Sequence, residues 1–185
     1  MKGDVYEIIN GEKFKFTSEN LITNQIKGRL LSSIGNYLVR KEIGYLFLNV
    51  RVHFSEENSF IPDLSVVLKS NEKILANRKN ICGAPDMVVE VLSHSTRKKD
   101  LTIKKDTYEA QGVKEYWIVD PWGKSVYVYL LREGKYSLDD RYILLEGEDF
   151  DSLTDEEKAD FKTEVPVSIL EGLNVPLKFI FDWGY

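Results

Sequence analysis

Apolar residues along this chain change period several times, and each change marks an element. "VYEIINGEKFKF" carries apolar residues on both sides of Asn10-Gly11. That dipeptide favours a two-residue hairpin turn, so two short strands are predicted. The period then lengthens. Ile22, Ile26, Leu30, Ile34 and Leu38 recur every fourth residue. They predict an apolar stripe on a helix that is capped by Thr17 or Ser18 and runs to about residue 40. Beyond Gly44, "YLFLNVRVHF" alternates Leu48, Val50, Val52 and Phe54 against Asn49, Arg51 and His53. This predicts one strand with a single face on the core. "IPDLSVVL" predicts another strand, entered through Pro62, and residues 69–84 read as polar loop with at most one helical turn.

The second half is more regular. Met87 to Leu92 is apolar at every position except Glu90, the pattern of a strand buried on both faces. A helix from about Asp100 to Gln111 follows, stopped by Gly112. "EYWIVD" is the next strand, "PWGK" turns it into "SVYVYLL", and "YSLDDRYILL" adds one or two more. The connection from strand 87–92 to strand 115–120 is long enough for a parallel βαβ unit, which is right-handed in nearly every case. Antiparallel hairpins flank it. The expected fold class is mixed α/β, a central sheet with helices packed on it, in a single domain of residues 1–185. "LTDEEKADFK" predicts a short acidic helix with a Thr154–Glu157 capping box. The apolar C-terminal "VSILEGLNVPLKFIFDW" either packs back on the domain or forms an interface with a second copy.

Composition narrows the function classes. The chain has 185 residues, 43% hydrophobic, enough for a substantial core. No apolar run approaches the length of a membrane span, and the N-terminal "MKGDVYEIINGEKF" lacks a signal peptide's apolar segment, so a cytoplasmic protein is expected. The lone Cys82 excludes an internal disulfide and a cysteine-based zinc cluster, and reads as a small buried filler. Net charge is −5, unevenly spread: Glu146 to Glu164 holds nine acids and two lysines, leaving the remainder at +2. "RKKDLTIKK", Arg97 to Lys105, holds five bases and one acid. That is either a solvated helix face or a local patch for a phosphate-bearing partner.

Glu90 is the anomaly. An ionised carboxylate among apolar residues is costly unless a cation or hydrogen bonds offset it. Asp100, Lys104 and Tyr108 share one face of the following helix and point Lys104 back over the sheet. Asp63 opens a neighbouring strand. Two carboxylates on adjacent strands with a lysine beside them suit Mg²⁺. The alternatives are ordinary: an Asp100–Lys104 surface ion pair, Glu90 paired with Arg51 or a lysine, and Asp63 as a turn residue. Asp86, on the same face as Glu90 but about 13 Å away at strand rise, reads as structural. Ser93, Ser95 and Thr96 read as helix caps, and Trp117, Tyr127 and Tyr129 as sheet residues.

"YEIINGE", "TNQI", "IPDLSVV", "APDMVVEVLSHSTRKKDLTIKKDTYEAQGVKEYWIVDP" and "ILEGLNVPLKFIF" occur in that order. From about Tyr6 to Phe181 the chain resembles the Uma-two family of restriction-endonuclease-like proteins, part of the PD-(D/E)xK nuclease superfamily. The resemblance implies a restriction-endonuclease-like fold, a central mixed β-sheet with flanking helices, and an active site of acidic residues plus lysine. By position, Asp63 is the motif aspartate and Glu90 the motif glutamate. A literal E-x-K would need lysine at Leu92. The family's lysine comes instead from the following helix, in D-x-x-x-K-x-x-x-Y, matched by Asp100, Lys104 and Tyr108; Lys105 lies off the pattern. Thr23 stands where relatives often carry histidine, and His94 where proline is usual. Glu7 matches the family's "YELIDGE", although a hairpin glutamate is normally solvated.

The resulting expectation is a Mg²⁺- or Mn²⁺-dependent endonuclease hydrolysing phosphodiester bonds in DNA, in the cytoplasm and as a homodimer. Asp63 and Glu90 would hold the metal, Lys104 would complete the catalytic set, and Arg97, Lys98, Lys99 and Lys105 would contact nucleic acid. The alternative is a catalytically inactive nuclease-fold module that binds nucleic acid or a protein partner. The acidic 146–164 segment reads as an insertion.

Overall fold

The structure is a computed structural model and describes residues 5–15, 20–93 and 96–182. Strands β1 (Tyr6–Ile9) and β2 (Glu12–Lys15) form the expected hairpin, with Asn10 and Gly11 at φ 50° and 79° in the turn. Helix α1 (Leu21–Lys41) carries Ile26, Leu30, Ile34 and Leu38 inward, whereas Ile22 is exposed. Its cap is Asn20, whose side chain accepts the Thr23 N–H. Thr17 and Ser18 lie outside the described residues.

The expected strand over 45–54 is divided. β3 (Gly44–Leu48) joins the main sheet, while β4 (Val52–His53) joins β5 (Ser59–Phe60) in a second one. The break is at Asn49, in the left-handed region at φ 50°, which a short amide side chain tolerates. Its N–H donates to Asp63 O. Leu48 consequently points outward, 42% exposed. β6 (Leu64–Leu68) follows, then a 3₁₀ helix at Lys69–Leu75 and β7 (Ile81–Cys82). Cys82 is exposed, not a core filler: β7 pairs only with β4, and this two-residue strand buries Ile81 instead.

β8 (Met87–Val91) leads into α2 (Arg97–Lys99), a π-helical turn at Asp100–Lys104, and α3 (Lys105–Gln111), which ends at Gly112. β9 (Glu115–Asp120) then pairs parallel to β8, completing the βαβ unit, and β10 (Ser125–Arg132) and β11 (Lys135–Ile143) extend the sheet antiparallel. The six strands run in the order β11-β10-β9-β8-β6-β3. One face buries Val89, Val91, Trp117 and Val119 with the α1 stripe; the other buries Val88, Leu92, Tyr116 and Ile118 with Tyr108.

The acidic segment forms two short exposed helices, α4 (Glu148–Asp151) and α5 (Asp155–Asp160), the latter with its Thr154–Glu157 capping box. β12 (Glu164–Pro166) and β13 (Asn174–Pro176) pair with each other before α6 (Leu177–Phe181). Within the apolar C-terminal segment, Leu177, Ile180 and Phe181 pack into the main core with α1, while Phe179 is exposed and Trp183 lies outside the described residues. No described helix is long and apolar enough to cross a membrane.

Candidate active site

Glu90 projects from β8 toward the α3 face of the sheet, because Val89 and Val91 on either side of it face α1. Its Oε1 accepts Lys104 Nζ at 3.0 Å and the Tyr108 hydroxyl at 2.7 Å. The wider π-helical turn brings Asp100 and Lys104 inward together. Lys104 Nζ lies 3.3 Å from Asp100 Oδ1 and 3.0 Å from Glu7 Oε1. Such turns inside α-helices are frequent at functional sites. Tyr116 ties the turn down, its hydroxyl donating to Asp100 O at 3.0 Å.

β6 pairs antiparallel with β8, Leu64 opposite Val89, and Asp63, the residue just before β6, lies close enough for its charge to act on Glu90. Asp63 Oδ2 accepts the Val91 N–H at 2.5 Å, and its Oδ1 accepts Lys27 Nζ at 2.9 Å. Lys27 comes from α1 and also donates to Asn49 Oδ1 at 3.2 Å. Glu7 enters from β1 and is fixed by the Ile61 N–H at 2.9 Å.

The result is four carboxylates and two ammonium groups, each residue at most 8% exposed. Carboxyl groups outnumber ammonium groups by two in this cluster, and the electrostatics follow. Burial pushes Glu90 well above the usual carboxylate range, with Lys104 opposing. Burial raises Asp100 for the same reason. Burial works to lower Lys104, yet Glu90, Asp100 and Glu7 outweigh it and hold the ammonium well above its ordinary value. Burial, then the Glu90 charge, keeps Tyr108 a neutral phenol that donates. Asp100 Oδ1 has no hydrogen-bond partner, although Lys104 is within ion-pair distance.

Asp63, Glu90 and Lys104 thus share one cluster. Lys105 points elsewhere, over the Tyr129 ring at 4.8 Å. Of the other basic residues, Lys99 lies over Phe14 at 4.1 Å, Arg97 pairs with Asp120 at 2.9 Å, and Lys98 is exposed. Arg51 donates to Ser59 and to Tyr6 O, not to Glu90. Asp86 is structural, accepting from Leu68 N, Asn71 and Lys114. Ser93 and Thr96 bond each other's backbone N–H just before α2, whose first cap residue, Thr96, makes no side-chain cap hydrogen bond; Ser95 and His94 lie outside the described residues.

Two members of the cluster are only faintly signalled by the sequence. Glu7 is on the same strand face as Ile9, which is buried with it. Lys27 carried a fainter signal, a charge at the same helical face as Leu30 and Ile34.

Among the described residues, no three carboxylate, imidazole or thiol side chains converge as a ready-made cation site. Mg²⁺ does not need three. It is commonly bound through one or two carboxylates and keeps several waters. An all-oxygen donor pair on adjacent strands, within a cluster that is short of positive charge, fits such an ion.

Solved structures similar to this one include a "putative nuclease belonging to DUF820" from Anabaena variabilis ATCC 29413, with a TM-score of 0.74 over 97% of this chain and 91% of that one. At 22% identity the likeness is one of fold, the restriction-endonuclease-like arrangement of mixed sheet and helices. Among curated proteins none matches significantly. The sequence profile of the Uma2 family, described as "Putative restriction endonuclease", matches residues 2–165, and the chain belongs to that family.

Proposed function

We propose that this chain is a Mg²⁺-dependent nuclease that hydrolyses phosphodiester bonds in DNA, with Asp63, Glu90 and Lys104 as its working residues. The observation that carries this reading is the buried excess of carboxylates over ammonium groups around Glu90. Only protons or a cation can balance it. The family description and the nuclease named among similar structures support the same reaction class.

Asp63 and Glu90 would hold the ion. Bound there, Mg²⁺ would supply Lewis-acid stabilisation of charge on the phosphoryl oxygens and a more acidic water. The chain's own groups have separate tasks. The Val91 N–H fixes the Asp63 carboxylate, and the Tyr108 phenol fixes Glu90. Lys104, kept charged by its neighbours, is set to orient an attacking water or to face negative charge developing on phosphate. Lys98 and, at the helix edge, Lys99 and Lys105 would meet the nucleic-acid backbone, whereas Arg97 is already committed to Asp120.

The test is cleavage of plasmid and single-stranded DNA with Mg²⁺ or Mn²⁺ by the wild-type chain, Glu90→Gln and Lys104→Ala, purified identically. Cutting by the wild type and a loss of about 100-fold or more in both variants is expected. Cutting that survives Glu90→Gln would refute the assignment. A second reading, a nuclease fold that binds without cutting, is favoured by one fact: Asp63 and Glu90 already accept lysine ammonium groups. Under it the wild type fails to cut but binds DNA with an affinity that falls steeply with salt.

A further inference from the structure

The proposed chemistry uses Lys104 and leaves the second buried cation unexplained. Lys27 is 2% exposed, between Ile26 and Leu30, which fill the core without it. Its ammonium sits on Asp63 Oδ1 at 2.9 Å, while the other Asp63 oxygen takes the Val91 N–H. Both oxygens of the candidate ligand are therefore engaged, one of them by a positive charge. The loop between β3 and β4 is shaped around this contact. Asn49 adopts φ 50°, its N–H donates to Asp63 O at 3.1 Å, and its side-chain oxygen stands 3.2 Å from the Lys27 ammonium. A divalent cation at Asp63 would lie a few ångströms from that ammonium, where like charges repel strongly even at the effective dielectric of a protein surface. The Asn49 oxygen already accepts from the ammonium and would hold it once the Asp63 contact is given up.

We propose that Lys27 is an internal competitor of the divalent cation at Asp63: a positioning residue that lowers the site's metal affinity and gives up its Asp63 hydrogen bond, keeping the one to Asn49, when the metal binds. This rests on the reading of Asp63 and Glu90 as metal ligands. It gives the site a threshold for metal that is set by the chain itself.

Calorimetric titration of Mn²⁺ into the full chain tests it without recourse to activity, comparing wild type with Lys27→Gln, Lys27→Met and Asn49→Gly. Gln keeps a donor for Asp63 without the charge, and Gly accepts the left-handed φ at position 49 while removing the acceptor. The Lys27 variants should bind Mn²⁺ about tenfold tighter or more, and their melting temperatures should rise further with added Mn²⁺ than that of the wild type. Asn49→Gly, which leaves Lys27 in place, should bind Mn²⁺ more weakly. Should the Lys27 variants not fold, Asn49→Gly decides alone, and an unchanged affinity there refutes the competition. Equal or weaker binding in folded Lys27 variants, with the wild type binding normally, overturns the inference and leaves the metal reading standing. Absence of Mn²⁺ binding in every form overturns the metal reading and the inference with it.

Discussion

Replacing Lys104 by Met should be far more damaging to stability than replacing Glu90 by Gln, although the two groups are partners in one ion pair. Lys104 Nζ is 3.0 Å from Glu7, 3.0 Å from Glu90 and 3.3 Å from Asp100. At an effective dielectric of 20, each contact is worth about 5 kcal/mol of gross attraction. Most of that offsets the desolvation of the ions and the repulsion among the carboxylates. What remains is visible when one partner of a buried pair is removed, typically a loss of about 3–5 kcal/mol. For a domain of this size, that lowers the melting temperature by roughly 6–20 °C at about 2–4 °C per kcal/mol. Glu90→Gln has the opposite character. It removes one of the excess negative charges and keeps an oxygen for Lys104 and Tyr108. Because burial already disfavours the ionised Glu90, this variant should melt within about 3 °C of the wild type, or above it. Thermal unfolding followed by circular dichroism at pH 7.5 in chelator measures both. Equal destabilisation by the two substitutions, or a Lys104→Met variant as stable as the wild type, would refute a buried cluster with surplus negative charge.

The same cluster predicts a pH dependence. Glu90 is raised above the ordinary glutamate value of 4.5 by burial, so the folded state holds its proton more tightly than the unfolded chain does. The Glu90 contribution is fully present below that ordinary value and is lost as pH rises through the raised one. Lys104 is raised too, but its contribution persists until far into the alkaline range. In chelator, stability should therefore decline from mildly acidic toward neutral pH, and urea midpoints across that range should show the decline flattened in Glu90→Gln. At the end of α3, Gly112 has φ 85° with open space around its α-carbon. Gly112→Ala should cost about 1 kcal/mol from backbone strain alone, a fall of about 2–4 °C; an unchanged melting temperature would show that the cap relaxes.

Several elements are legible in the sequence alone. Asn10-Gly11 specifies its hairpin because both residues accept positive φ. The every-fourth-residue stripe of α1 and the Met87-to-Asp120 strand–helix–strand unit follow from periodicity alone, a property of the residues in order. Glu90 announced itself because a charge inside an apolar run demands a partner, and Lys104 was found because it lies on the helix immediately after that strand. "YLFLNVRVHF" misled for an equally physical reason. Its alternation is real, but Asn49 takes a left-handed turn stabilised by Asp63 and Lys27, groups distant in sequence.

What the sequence alone determined is therefore the period of the long regular elements and which residues cannot be left unpaired. What it could not determine is who stands opposite. Lys27 and Asp63 are separated by 36 positions, and Glu7 and Ile61 by 54. Those meetings exist because α1 packs across the main sheet and because β1 pairs with β5 in the second one. Alternation and helical period repeat along the chain and can be read from it. The register between strands and the seat of a helix are settled by the packing of all of them together, and only there does a surplus of buried negative charge become visible.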